Sequence, residues 1–182
     1  MIRKLLFFVA VGMLAIQLAQ PQSQAADSVK EVKAGEALLL GDILLVKVTQ
    51  SKKPAFAGVK LKGEPLIVVL ELDAGKKGVT LSYSLSADPR SSEVYLTSGA
   101  QRSAPRAVIE DFPSWGSDND KEVELLDPKG AGSSSLDFEG KGSISLLFDV
   151  PVAQAKGPKK LSMVLRTVQP KREQQSIVVN LD

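Results

Sequence analysis

Apolar and polar residues alternate along much of the chain with a period of two, the spacing of a strand with one buried face. Residues 80–86 show it without error: Leu81, Tyr83 and Leu85 alternate with Ser82, Ser84 and Ser86. Residues 143–150 repeat the pattern, with Ile144, Leu146, Phe148 and Val150 on one face. So do residues 43–50 (Leu44, Val46, Val48), 161–166 (Leu161, Met163, Leu165) and 176–181 (Ile177, Val179, Leu181). Shorter strands are expected at 36–40 and 93–97. One run breaks the alternation: residues 65–72, Pro-Leu-Ile-Val-Val-Leu-Glu-Leu, are apolar at nearly every position. Its length, its β-branched residues and the flanking Gly63 and Asp73-Ala74-Gly75 mark a strand rather than a helix. Leu66, Val68, Leu70 and Leu72 face one side, and Ile67 and Val69 the other. Such a strand needs cover on both faces.

Turn formers separate these runs at short intervals, and no helical period occurs beyond the N-terminal segment. The pattern predicts an all-β fold, an immunoglobulin-like Greek-key β-sandwich of about eight strands. Regularity lapses over residues 98–142, which carry Pro105, Pro113 and Pro128 among glycines and serines. Short strands fit only 108–109 and 123–126 there, so the rest of the region is expected to be loop. A connection of that length in a small domain is a functional segment or a poorly ordered one.

The first residues have the layout of a cleaved signal peptide: Arg3 and Lys4, an apolar run over residues 5–19, then small residues at Ser23 and Ala25. The run is short for a membrane span. The expected organisation is a signal peptide over 1–25, a flexible leader over 26–36 and the sandwich domain over 37–182. Removal of the signal peptide changes the charge. The chain holds 23 basic and 21 acidic residues; without Arg3 and Lys4 it is neutral. A neutral domain has no built-in attraction for nucleic acid or an anionic membrane. The protein is expected to be exported, periplasmic or extracellular, with no stable membrane span after cleavage.

Composition narrows the chemistry. Histidine and cysteine are both absent. Triads with a histidine base, cysteine nucleophiles, disulfides and ordinary zinc sites are therefore excluded. Met163 is the sole methionine beyond the signal peptide, which excludes a methionine-rich copper site. No cofactor is expected. Carboxylates remain. Asp118, Asp120 and Glu122 alternate in a loop, a spacing that offers oxygen ligands to calcium, although the glycine and the later glutamate of a calcium loop are missing. Glu71, Glu110 and Asp111 are the candidates for a glycosidase-type acid pair. Trp115, the single tryptophan, stands near Phe112 in Asp111-Phe-Pro-Ser-Trp-Gly116. The two rings either plug one end of the sandwich or contact a partner.

The segment Gly142-Ser-Ile-Ser-Leu-Leu-Phe-Asp-Val-Pro151, followed by Leu161-Ser-Met-Val-Leu-Arg166, resembles the end of small secreted bacterial immunoglobulin-like proteins of the immunoprotective extracellular protein type. The layout upstream is similar: a Gly-Asp turn, a long strand, a lysine-rich hairpin, then a strongly apolar strand. The resemblance covers about residues 37–182. It implies an immunoglobulin-like fold and export, and it carries no catalytic residues to this chain. Together these readings favour an exported, non-catalytic binding module for an unidentified protein or envelope ligand. Phe112, Trp115, Asp118 and Asp120 are its candidate partner-binding residues. The alternatives are a carboxylate-only hydrolase and a structural component of the cell envelope.

Overall fold

The computed structural model describes residues 29–41, 43–52, 56, 58–112, 123–126 and 131–182. The expected signal peptide, Trp115, Asp118, Asp120 and Glu122 lie outside the described residues. Among the described residues the strands are β1 (Lys30–Lys33), β2 (Ala37–Leu40), β3 (Leu44–Ser51), β4 (Glu64–Asp73), β5 (Val79–Ser86), β6 (Val94–Ser98) and β7 (Gln101–Ser103). They continue as β8 (Pro105–Asp111), β9 (Glu124–Leu125), β10 (Ala131–Phe138), β11 (Lys141–Val150), β12 (Lys159–Gln169) and β13 (Glu173–Asn180). One sheet has the order β2-β3-β4-β11-β8-β9. The other runs β1-β13-β12-β5-β10, with β6 pairing β12 and β7 pairing β6. The two sheets form an all-β sandwich, the fold class predicted by the alternating pattern.

The alternating residues fill the space between the sheets. Val46, Val48, Val68, Leu70, Leu72, Ile144, Leu146 and Phe148 from one sheet meet Leu81, Tyr83, Leu85, Leu161, Met163, Leu165, Ile177 and Val179 from the other. Each such side chain contributes about 1.5–3 kcal/mol before the entropy of ordering is subtracted. The register explains why the runs appear where they do. Leu70 pairs Ile144 and Val68 pairs Leu146, so the inward positions of neighbouring strands coincide.

Two strands cross between sheets as a ribbon. β4 pairs β11 in one sheet, while β5 pairs β10 in the other. The ribbon bends over the edge between them. Ala74 N donates to Gly140 O at 2.8 Å and Gly140 N donates to Gly75 O at 2.7 Å, carrying the ladder around the corner. Gly75 and Gly140 have φ of 60° and 73°, a region that a Cβ disfavours.

The second sheet forks. β12 pairs β5 through Arg166–Gln169 and β6 through Lys159–Met163. Arg166 crosses the fork: its two terminal nitrogens donate to the Glu93 carboxylate at 2.5 and 2.6 Å. A bidentate geometry of this kind orients as well as attracts.

Two expectations need correction. Among its described residues, the region 98–142 is not mainly loop. It holds β7, β8, β9 and β10, the last of them eight residues long. The two longer ones escape the period-two test because small or polar residues interrupt their inward rows: Gly132 and Ser134 ahead of Leu136 and Phe138 in β10, and Glu110 after Val108 in β8. The leader also differs from the reading of 26–36 as flexible. Lys30–Lys33 forms β1, which pairs in parallel with β13 and sets Val32 against the main core.

Candidate functional site

Phe112 follows β8 and turns into the sandwich. Its ring centroid lies 4.6 Å from that of Phe138, with the planes tilted by 54°. A Cβ at Gly142 would overlap the Phe112 ring, so only glycine leaves room for it there. Phe112 is therefore half-buried against the main core, the place expected of a plug. Of the four candidate partner-binding residues it is the one among the described residues.

Beside it lies a polar pair between the sheets. Tyr83 of β5 is 2% exposed, and its hydroxyl donates to Glu110 Oε1. Glu110 pairs Ile144, an inward position, and so reaches across from the opposite sheet. Burial, then the hydrogen bond and negative charge of Glu110, push the Tyr83 phenol well above its ordinary value; a hydrogen bond from Ser134 works in the other direction. A phenol held protonated in this way stays neutral at pH 7 and is a donor to Glu110 there.

Of the three carboxylates of the acid-pair reading, two share a face and one is set apart. Glu71 and Asp111 flank Ser143 across β4, β11 and β8, on the outer face of that sheet. Glu110 is on the inner face. Glu71 is further engaged by Lys47 at 3.3 Å. No group of three or more carboxylates among the described residues is placed to hold a metal ion.

The second face of β4 supplies what sequence reasoning missed. Ile67 and Val69 point outward and belong to a separate apolar cluster with Phe56, Ala107, Ile109 and Leu147. In an antiparallel sandwich that face is commonly wet. Here the connection between β3 and β4 lies across it as a strap. The strap spans residues 52–63, against about two to five for an ordinary hairpin loop. It is described at 52, 56 and 58–63. Val59 and Leu61 pack onto the outer cluster, while Lys60 and Lys62 are exposed. The strap returns to the sheet through Gly63, whose missing Cβ makes room for the Val150 carbonyl. Asp149 anchors it there, accepting from Lys62 N at 3.0 Å and Gly63 N at 2.7 Å.

Strap and sheet do not close completely. Between them runs a groove of about 580 Å³. Phe56, Val59 and Leu61 form its wall, Ile67 and Leu147 its floor, and Lys52 stands among its polar lining. The sequence signal for this site was the apolar run on both faces of β4, which demanded a cover. The cover itself was legible as Val59-Lys60-Leu61-Lys62, an alternation hidden by its lysines. A second hollow, of about 480 Å³, lies at the folded corner beside Lys77, Asp137, Glu139 and Pro170.

No protein-family model matches the sequence. No curated protein matches it either. Among solved structures, part of the chain is similar to a family 123 glycoside hydrolase from Clostridium perfringens, described for glycolipid glycan hydrolysis, with 9% identity and a TM-score of 0.34. The match takes in 66% of this chain and 21% of the other, so this chain spans about a fifth of that enzyme's length. A likeness at that level falls short of a shared fold.

Proposed function

We propose that the chain is an exported, non-catalytic binding module, of the small secreted immunoglobulin-like kind, that receives its ligand on the outer face of the six-stranded sheet. The observation that carries this reading is the groove beneath the strap. Its volume of about 580 Å³ lies inside the usual range for small-ligand sites, about 300–1,000 Å³. Its lining has the usual make-up too, mostly apolar with a few polar groups at one side. Rigid strands supply the floor and a connecting segment supplies the wall, the division of labour common in binding proteins.

The test is native mass spectrometry of the protein recovered from its own envelope fraction, alongside Leu61→Trp, which fills the groove. A bound adduct on the wild type that is lost from a folded Leu61→Trp supports the proposal. An adduct carried equally by both, or by neither, overturns this placement of the site.

A further inference from the structure

We infer that the groove takes a single-chain anionic amphiphile, a free long-chain fatty acid, with its tail between strap and sheet and its carboxylate at Lys52. The inference rests on the reading of the groove as a ligand site and names its ligand class. The floor and wall decide the tail. The side chains of Ile67, Leu147, Phe56, Val59 and Leu61, which line the groove, are all hydrocarbon. A sugar, a nucleotide or a peptide backbone placed there would leave its polar groups unpaired, at a cost of kilocalories each. A hydrocarbon chain loses nothing and removes both surfaces from water.

The polar lining decides the head. It is gathered on Gln50, Ser51 and Lys52 at the end of β3. Gln50 is committed, since its side-chain nitrogen donates to the Leu181 carbonyl. Lys52 is exposed and is the cation lining the groove. Of the acids nearby, Asp149 is taken up by the strap's backbone N–H groups, and Glu64 is exposed on the first residue of β4. Lys52, the cation among the described lining residues, beside an apolar channel matches the negative charge of a single-chain acid. Lys60 and Lys62, exposed on the strap, extend the same field.

Isothermal titration of the purified protein with saturated fatty acids of increasing length, each kept dispersed below its aggregation limit, tests this directly. Affinity is expected to rise with length, by up to about fourfold per methylene buried, and then to level off once the groove is full. The methyl ester of the same chain should bind about threefold to fivefold more weakly, the scale of an exposed ion pair. Lys52→Glu should abolish that preference for acid over ester. Leu61→Trp should remove the length dependence while the denaturation midpoint stays in place. Affinity independent of chain length overturns the inference, as does equal binding of acid and ester by the wild type. Binding to vesicles of anionic phospholipid without binding of dispersed acid overturns it in favour of a lipid surface. If no fatty acid binds but a groove-dependent adduct is still recovered from the envelope fraction, the ligand class alone is wrong. If that adduct is missing as well, the site is wrong.

Discussion

Tyr83→Phe removes a single oxygen from a site 2% exposed, and with it the donor that Glu110 accepts from. A hydrogen bond to a charged partner contributes about 1.5–3 kcal/mol, and an abandoned buried acceptor costs about 1–3 kcal/mol. Glu110 is only half-buried, so water recovers part of the loss. The expected cost at neutral pH is about 1–2 kcal/mol. With a urea slope of about 1–3 kcal/mol per molar, the midpoint should fall by roughly 0.5–1 M. The pH dependence isolates the cause. The native state holds the Tyr83 proton to higher pH than the unfolded chain does. Its contribution is complete below the ordinary tyrosine value of about 10. It is lost as pH rises above that value, by up to about 1.4 kcal/mol per unit. Phenylalanine has no such proton. Wild type and Tyr83→Phe should therefore be furthest apart near neutrality and converge from about pH 10 upward. Urea melts followed by far-ultraviolet circular dichroism at several pH values supply both curves. Parallel curves across the alkaline range, or an unchanged midpoint at neutral pH, would refute a buried, neutral Tyr83 bonded to Glu110.

Val68→Asp should abolish folding. An unpaired carboxylate at a 0% exposed site costs several kcal/mol against a total of about 5–15. Ser84→Asp, on the outer face of β5, should move the denaturation midpoint little; equal effects would mean the faces are misassigned. Phe112→Ser should destabilise the fold by about 3 kcal/mol or more, as a large-to-small change against Phe138 does, measured by thermal melting. If Trp115 makes the partner contact expected from the sequence, Trp115→Ser should weaken capture in a pull-down from the envelope fraction and leave the melting point alone. N-terminal sequencing of exported protein should begin at Ala26; a retained Met1 in a membrane fraction would sink the signal-peptide reading.

Strands whose inward residues are uniformly apolar were legible from sequence. β5 alternates without error and β11 breaks the pattern only at Leu147, and both have a paired strand on each side, with their inward side chains in the core. β10 was not legible, although it pairs β5 over its whole length. It stands at the end of the sheet order, and its first inward positions, Gly132 and Ser134, are exposed and half-buried, so only Leu136 and Phe138 need to be apolar. β8 was obscured by the inward Glu110, a polar residue that accepts from Tyr83 on a strand more than twenty residues earlier. Period-two arguments assume that inward means apolar, and they fail where a long-range partner takes over. The candidate site was legible in part. Phe112 was singled out, and the structure places it on the core, in keeping with the plug. The groove was not found, because Phe56, Val59 and Leu61 are scattered among lysines and read as a solvated hairpin.

The strap over β4 also bears on how the chain comes to fold. β4 has β3 as one neighbour, close in sequence, and β11 as the other, which arrives only after six intervening strands among the described residues. Closing so distant a pair is slow, because its loop entropy must be met before its contacts form. Until then β4 would expose apolar residues on both faces along an unpaired edge, the kind of surface that draws chains together. The strap immediately precedes β4, and Phe56, Val59 and Leu61 share the outer cluster with Ile67 and Val69, which are close to them in sequence. A nascent chain can thus shelter one face of its stickiest strand before any distant partner exists. A variant with a shortened strap would be expected to show its defect first in the yield of refolding, as aggregation, and only second in the stability of the molecules that succeed.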